Sequence, residues 1–435
     1  MKFLKKILLL TFLLGLFGSF SYAARIEISA PGEQTIPLAL TRLLPMGAGG
    51  EQPAIAREFL QTLLGDLELS GLFDMVDPAS FLDDADRLGL RRIDIDFYQW
   101  RMLGAEALIK GGYTISGGKL TVQLRLFDIV TQRLLVGRNY TGKPGSIRKI
   151  AHKFADQVLL SLTGEKGPFS TKIAYISKRS GHKELYMMDV DGHKPVRLTS
   201  HHSIVLNPDF SPTRKELIFT SYQKGNPDLY RKEVYTGRES RLSLKRGLNI
   251  GGRYSPDGRE IALTLSKDKN SEIYLIGTDG TIHRRLTNHY GIDVDPSWSP
   301  SGDKIAFVSD RRGNPNIFIV DINTFDVTRL TYEGKYNATP AWSPKGDRIA
   351  FSRLDEGAFN IFTIREDGTD ERQLTFGPGS KEHPRWSPDG RFLVYSNDQD
   401  YGRKSIWIMR ADGTGARQIS PVGGNDSHPA WSGYW

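Results

Sequence analysis

The chain has 435 residues, which is enough for two or three packed domains. It contains no cysteine, so disulfide frameworks, thiol catalysis and cysteine-ligated metal sites are excluded. The formal net charge is +8, but acidic and basic residues are interspersed along the chain, and we therefore expect no nucleic-acid partner.

The N-terminus has the pattern of an export signal. Lys2, Lys5 and Lys6 precede an apolar run over residues 7–20, and Ser21 and Ala23 place small residues before a cleavage site. The run is shorter than the roughly 20 residues that a membrane-spanning helix needs. We therefore expect residues 1–23 to be a cleaved signal peptide and the mature protein to lie in a bacterial periplasm.

Residues 24–165 predict a small α/β domain. Residues 24–28 alternate polar with apolar side chains, as an extended segment does. Apolar residues recur at helical spacing over 53–69, and a second helix is expected over 146–162. Between the helices, residues 107–115, 120–128 and 134–140 have the pattern of strands. The polar, helix-breaking segment that follows residue 164 marks the domain boundary.

From residue 169 onward the chain is a repeat. The pair Ser-Pro recurs at a constant spacing of 44 residues, at Ser211, Ser255, Ser299, Ser343 and Ser387. An apolar run follows each pair, and one further run at Ile173 brings the number of copies to six. Each copy predicts four short strands joined by turns that contain Gly. This period is typical of propeller blades, so residues 169–435 predict a six-bladed β-propeller.

The first copy lacks its own Trp-Ser strand, because Gly167 and Pro168 occupy the place where that strand would run. The missing piece is present at the end of the chain, at Trp431 and Ser432. We therefore expect the C-terminal strand to complete the first blade and to close the ring.

The repeat offers packing residues more readily than catalytic ones. An aromatic side chain precedes each serine, and we expect these side chains to pack between neighbouring sheets. The segments that lead into the inner strands contain five histidines: His201, His202, His289, His383 and His428. Converging histidines can bind a metal, but no carboxylates recur at a spacing that completes such a site. No Gly-x-Ser-x-Gly elbow is present, so we expect no catalytic residue, no cofactor and no metal.

What remains is a surface around one end of the propeller channel. The loops before the inner strands, and those between the second and third strands, emerge on the same face and suit protein recognition. The predicted partner-binding residues on this face include His202, Asn249, Arg253, His289, Asp295, Arg311, Asn337, His383, Asp426 and His428.

The order of these parts resembles the TolB family of the Tol-Pal system. The resemblance rests on the signal, the α/β domain, blades such as Trp298-Ser299-Pro300 with an apolar run after them, and the terminal Trp431-Ser432. It implies a non-enzymatic, monomeric scaffold that binds the lipoprotein Pal at the channel mouth and TolA through its mature N-terminus, in support of outer-membrane integrity and cell division. The resemblance adds Leu248 and Val294 to the Pal side, and it assigns the TolA side to Ala24, Arg25, Ile26, Glu27 and Ile28. The alternative is a propeller that hydrolyses or cleaves a glycan or a peptide, or that binds a small ligand.

Overall fold

The structure is a computed structural model that describes residues 35–47, 50–399 and 402–435. The predicted signal peptide and the segment Ala24 to Ile28 lie outside the described residues. The first part of the described chain forms a five-stranded sheet in the order β2-β1-β3-β4-β5, in which β1 runs parallel to β2 and β3. Its strands are β1 (Ile36–Pro45), β2 (Phe73–Met75), β3 (Ala107–Ser116), β4 (Lys119–Asp128) and β5 (Arg133–Gly142).

Two long helices pack on one another and on this sheet. They are α1 (Pro53–Ser70) and α3 (Ile147–Thr163), while the short helix α2 (Phe97–Met102) precedes β3. Proline starts α1, where its missing N–H costs nothing, and Gly71 ends it in the left-handed region at φ 70°. Apolar side chains at helical spacing on both helices join the core of the sheet, so this part is the predicted α/β domain.

The rest of the described chain forms six four-stranded antiparallel sheets, as predicted. Blade 1 contains β6 (Lys172–Ser177), β7 (Glu184–Asp189), β8 (Val196–Arg197) and the C-terminal β29 (Ser427–Trp431). Blade 2 contains β9 (Val205–Phe210), β10 (Glu216–Lys224), β11 (Asn226–Glu233) and β12 (Glu239–Ser243). Blade 3 contains β13 (Asn249–Tyr254), β14 (Glu260–Leu265), β15 (Glu272–Gly277) and β16 (Ile282–Arg285).

The remaining three blades repeat the same order. Blade 4 contains β17 (Asp293–Trp298), β18 (Lys304–Ser309), β19 (Asn316–Asp321) and β20 (Val327–Arg329). Blade 5 contains β21 (Tyr336–Trp342), β22 (Ile349–Asp355), β23 (Ala358–Ile364) and β24 (Arg372–Gln373). Blade 6 contains β25 (Lys381–Trp386), β26 (Phe392–Asn397), β27 (Ser405–Arg410) and β28 (Arg417–Gln418). The first strand of each blade contacts the first strand of the next, so these six strands surround the central channel.

The recurring Leu-Thr pair has a structural explanation. In blade 3, Thr287 Oγ1 accepts a hydrogen bond from the backbone N–H of Ile273 at 3.0 Å and donates one to Glu272 Oε2 at 2.7 Å. Thr199, Thr331 and Thr375 accept the same backbone hydrogen bond in blades 1, 4 and 5. The threonine therefore fixes the end of the fourth strand to the start of the third and satisfies a buried backbone N–H there.

The ring closes through the C-terminal strand, as predicted. In β29, Ala430 and Trp431 pair with Ala174 and Ile173 of β6 in antiparallel register. The indole Nε1 of Trp431 donates to Thr171 Oγ1 at 2.8 Å. Blade 1 is thus built from both ends of the propeller sequence, and β29 covers the channel-side edge of β6, which would otherwise be unpaired.

A buried ionic cluster joins the α/β domain to blade 1. His152 of α3 lies between two carboxylates, with Nδ1 2.7 Å from Asp66 Oδ2 of α1 and Nε2 3.4 Å from Asp191 Oδ2 of the β7–β8 turn. Although burial alone would lower it, the two carboxylates raise the pKa of His152 to about 10. Arg148 also pairs with Asp191. The imidazole is therefore a protonated cross-link between the domains at neutral pH.

Among the described residues, one group of side chains has the composition of a metal site. His152, Asp189 and Asp191 offer ligand atoms within 4.8 Å of one another. Lys172 pairs with Asp189 and Arg148 pairs with Asp191, so cations of the chain itself already neutralise both carboxylates. We interpret the group as a network of ion pairs.

Candidate partner-binding face

The topology separates the two ends of the channel. The loops that join each fourth strand to the next first strand, and those between second and third strands, emerge at one end, which we call the channel mouth. The turns between first and second strands and between third and fourth strands emerge at the opposite end. The α/β domain contacts this opposite end, since Arg410 in the β27–β28 region donates to the backbone of Glu68 and Leu69 at the end of α1. The channel mouth is therefore the end away from the α/β domain.

The channel mouth exposes apolar side chains from every blade junction. Two of them, Tyr290 and Val422, are 83% and 87% exposed. We call the set the apolar collar, and its members are Ile204, Leu244, Tyr290, Ile292, Tyr332, Tyr336, Phe376 and Val422. Scattered single apolar residues are ordinary on a protein surface, but a ring of them around a concavity is typical of an interaction site.

The predicted contact residues include no member of this collar, although the loops assigned to this face contain the aromatic residues Tyr290 and Tyr336. A signal was present, since Ile204, Ile292 and Tyr336 occupy the same position of the repeat, directly before or at the start of the inner strand. Loops lie at the surface, outside the sheets that form the core, so an apolar residue that recurs in a loop is expected to be exposed.

Inside the mouth, each inner strand carries a β-bulge at the same place. The strand register shifts there in all six blades. One residue of every bulge adopts a positive φ, and these residues are Asn207, Gly251, Asp295, Thr339, His383 and His428. A bulge re-aims a side chain at the cost of backbone strain, and a left-handed backbone is unfavourable for all of these residues except glycine. Five of the six bulges therefore hold a side chain in fixed orientation within the channel, and we call the six residues the bulge ring.

Two of the predicted histidines meet in this ring. The imidazole rings of His383 and His428 stack with their centroids 3.9 Å apart and their planes at 34°. Burial in the channel lowers the pKa of His383 to about 4 and lowers the pKa of His428 well below its ordinary value. Both rings are therefore neutral at physiological pH, and each Nδ1 lies within hydrogen-bond distance of a serine hydroxyl, on Ser396 and Ser427 respectively.

The other predicted histidines lie elsewhere on the face. His202 is exposed and its ring packs edge-on against His182, at a centroid distance of 5.6 Å. His289 stacks on Tyr290 of the collar at 4.1 Å. Leu248 and Val294, which the family resemblance added, are half-buried at the channel mouth beside the collar. The five histidines thus line one face without forming a single cluster.

Charged groups of the channel lie behind the bulge ring. Arg253 is buried on the inner strand of blade 3. Burial raises the pKa of Asp295, and Arg253 opposes that shift. The predicted contact residues Arg253 and Asp295 therefore face one another across a blade junction within the channel.

Four predicted contact residues are engaged within the chain itself. Asn249 is fully buried, and its side-chain amide bonds five partners, including Ser243 Oγ at 2.6 Å. Asn337 is also fully buried and accepts from Arg353 Nε at 2.9 Å. Asp426 and Arg311 form ion pairs with Arg179 at 3.2 Å and with Asp293 at 2.7 Å. These side chains hold the loops of the mouth in place, and a direct contact with a partner stays a prediction.

The described residues include no helix long and apolar enough to span a membrane.

Family comparisons agree with this architecture. Residues 160–435 match the family described as "TolB beta propeller domain", and residues 24–135 match "TolB amino-terminal domain". The structure resembles the crystal structure of TolB from Acinetobacter baumannii with a TM-score of 0.79 and 25% identity, covering 94% of this chain and 99% of that one.

Curated relatives give the same result over a shorter stretch. The chain is 61% identical over 194 residues to the Tol-Pal system protein TolB of Syntrophotalea carbinolica, which covers 45% of each chain. It is 47% identical over 191 residues to the protein of the same name from Geobacter metallireducens, covering 44% of each. The chain thus spans about half the length of the curated relatives it matches.

The fold, the collar and these relatives define the class as non-enzymatic propeller proteins of the cell envelope. The alternative of a glycan or peptide hydrolase or lyase is therefore not favoured. The chain belongs to the TolB family, the periplasmic propeller proteins of the Tol-Pal system.

Proposed function

We propose that the chain links two partners of the Tol-Pal system, binding the lipoprotein Pal at the channel mouth and TolA through the mature N-terminal segment. The apolar collar is the observation that supports Pal binding at the channel mouth. It supplies large exposed side chains around a concave centre, and aromatic anchors of this kind contribute most of the binding energy in protein interfaces.

The channel behind the collar adds specificity. His383 and His428 are neutral and held by serine hydroxyls, and the bulged backbone fixes their orientation before any partner arrives. A site that is ordered in advance loses less conformational entropy on binding. We therefore expect Pal to place apolar side chains on the collar and a polar group in the channel, with little change in the propeller.

The collar is tested by substituting one of its anchors. Phe376 is 70% exposed, so Phe376→Ser removes contact area without opening a cavity. If Phe376 is an anchor of the interface, the dissociation constant for the soluble domain of Pal rises roughly 30-fold, equivalent to about 2 kcal/mol. The matched control is Phe325→Ser, which changes a 48% exposed phenylalanine in the β19–β20 turn at the opposite end of the blades.

Titration calorimetry measures both variants against wild-type protein. Equal losses in Phe376→Ser and Phe325→Ser, or no loss in either, would place the Pal interface away from the mouth. Pal binding that weakens only in Phe376→Ser supports the proposed interface.

The TolA half rests on the alternating segment Ala24, Arg25, Ile26, Glu27 and Ile28. An extended segment can add to the edge of a partner sheet through backbone hydrogen bonds, and proline removes one of the donors. We therefore expect Ile26→Pro to abolish binding to the periplasmic domain of TolA while leaving Pal binding intact. The control Ile26→Val keeps every backbone donor, and equal TolA affinity of the proline and valine variants would contradict strand addition.

Together the two contacts would connect the cell envelope layers and support outer-membrane integrity and cell division. In a strain that lacks the native gene, wild-type protein is expected to restore detergent resistance. Phe376→Ser and Ile26→Pro are expected to restore detergent resistance poorly. Full restoration by both variants would show that the two contacts are not needed for outer-membrane integrity.

A further inference from the structure

The channel has a second cavity, at the end opposite the mouth. Its volume is about 430 Å³, and it is lined by the C-terminal halves of the six inner strands and by the Ser-Pro turns that follow them. The aromatic side chains that precede each serine pack between blades as predicted, and the indole N–H groups of Trp298 and Trp386 donate to backbone carbonyls of the preceding blade. Their ring edges form part of the cavity wall.

Two arginines enter this cavity from opposite sides. Arg253 belongs to blade 3 and Arg385 to blade 6, and blades three apart face one another across a six-bladed ring. Within residues 35–47, 50–399 and 402–435, no carboxylate lies within 4.0 Å of either guanidinium. Each donates to one nearby carbonyl, Arg253 to Gly252 at 2.9 Å and Arg385 to Pro384 at 2.8 Å.

Most of the hydrogen-bonding capacity of these arginines is unused. Arg253 is only 7% exposed, yet its guanidinium makes that single hydrogen bond with the described residues. Nε of Arg385 is buried and has no hydrogen-bond partner in the described chain. Buried polar groups are usually satisfied, so unsatisfied donors that line a cavity indicate a ligand or ordered solvent.

The remaining polar groups of the cavity leave a positive balance. Asp209 is the acidic side chain of the lining, and its Oδ2 already accepts from the backbone N–H of Tyr254 at 2.9 Å. Ser297 accepts from the backbone N–H of Trp342 at 3.0 Å, which leaves its hydroxyl proton able to donate into the cavity. The lining thus contains two guanidinium groups and one carboxylate, while Asp295 of the bulge ring, which also interacts with Arg253, lies outside the lining.

We propose that this cavity binds a small oxyanion, a carboxylate or a phosphate, between Arg253 and Arg385. The planar guanidinium group can donate two parallel N–H hydrogen bonds to either oxyanion. The cavity walls also shield a bound ligand from bulk water. The cavity lining includes no residue of the collar or of the bulge ring, and Arg385 is not among the residues predicted for the Pal side, whereas Arg253 is.

The site can be tested with acetate and inorganic phosphate as probes. Four tryptophans line the cavity, so intrinsic fluorescence reports occupancy at constant ionic strength. We expect Arg385→Gln to weaken binding roughly tenfold or more, because it removes a charged donor pair. We expect Asp209→Asn to tighten binding, because it removes the opposing charge while keeping an acceptor for Tyr254 N.

The matched control is Arg259→Gln, which changes an exposed arginine on the turn after β13, at the same end of the propeller. Thermal unfolding of each variant shows whether it is folded. The tighter binding expected of Asp209→Asn cannot result from misfolding, so it tests the site even if Arg385→Gln fails to fold. Saturable binding of acetate, phosphate or both supports the site and identifies the oxyanion, provided that the affinity is highest in Asp209→Asn, intermediate in the wild type and lowest in Arg385→Gln. A response that chloride reproduces, or equal affinities of wild type, Arg385→Gln and Asp209→Asn, overturns it.

Discussion

Replacing His152 by asparagine tests the ionic cluster that joins the two domains. In the wild-type protein the imidazolium is 4% exposed and lies between Asp66 and Asp191. Asparagine keeps a polar group at this position but cannot carry the charge that both carboxylates need. Breaking a buried ion pair by removing one partner costs about 3–5 kcal/mol, and we expect His152→Asn to lower the free energy of unfolding by that amount at pH 6.

The pH dependence of this difference follows from the direction of the pKa shift. The pKa of His152 is raised in the folded state to about 10, above its ordinary value of 6.5. The stabilisation is therefore fully present below pH 6.5 and is lost as the pH rises toward 10. The stability difference between wild type and His152→Asn should be largest near pH 6 and should shrink as the pH rises across this window.

Urea unfolding at a series of pH values measures this difference, with tryptophan fluorescence and far-ultraviolet circular dichroism as separate probes. Two probes are needed because a two-domain protein can unfold in more than one step. Asn is also introduced at the exposed residue Lys149 on the same helix, as a control for helix propensity. A difference that stays constant from pH 6 to pH 10 would show that His152 is not protonated in the folded protein.

Three further perturbations test the ring itself. Trp431→Ala should destabilise the protein by about 3–5 kcal/mol, because a large side chain is lost from the closing strand; the half-exposed Trp435→Ala serves as the control, and equal melting temperatures would refute the role of closure. Thr287→Ala should cost about 1–3 kcal/mol by leaving the backbone N–H of Ile273 without its acceptor and Glu272 Oε2 without its donor, and Thr287→Ser should recover most of it in thermal unfolding. His383→Gln should make the protein less sensitive to acid. The folded-state pKa of His383, about 4, lies below the ordinary value of 6.5, so the free energy of unfolding of the wild type falls by up to about 3 kcal/mol as the pH drops through this window. An identical dependence of stability on pH in the variant would contradict a neutral pair of histidines.

The blade architecture could be predicted because it depends on local features that repeat. A Ser-Pro pair every 44 residues fixes a turn, and the turn fixes the two strands beside it. The absence of a Trp-Ser strand near Gly167 and its presence at Trp431 then required the ring to close through the C-terminus. Each of these arguments needs only the neighbouring sequence and the geometry of a strand.

The site could be predicted only in part, because burial of a polar side chain depends on contacts distant in sequence. Asn249 and Asn337 lie in the predicted mouth, yet their side-chain amides already form hydrogen bonds within the chain. Asn249 donates to loop carbonyls, and Asn337 accepts from Arg353. The stacking of His383 on His428 arises from two strands that are neighbours only after the ring has closed. Similarly, nothing local to Arg253 or Arg385 shows that these residues face one another across a channel.

Because blade 1 takes its inner strand from residues 427–431, the order of synthesis and the order of assembly differ. Until those residues have been made, the nascent propeller is an open arc with β6 exposed at one end and the sixth blade at the other. The unpaired edge of β6 and the uncovered face of blade 6 would be accessible to proteases and chaperones. Loss of the C-terminal residues 427–435 would therefore leave the protein permanently in this unfinished, aggregation-prone form.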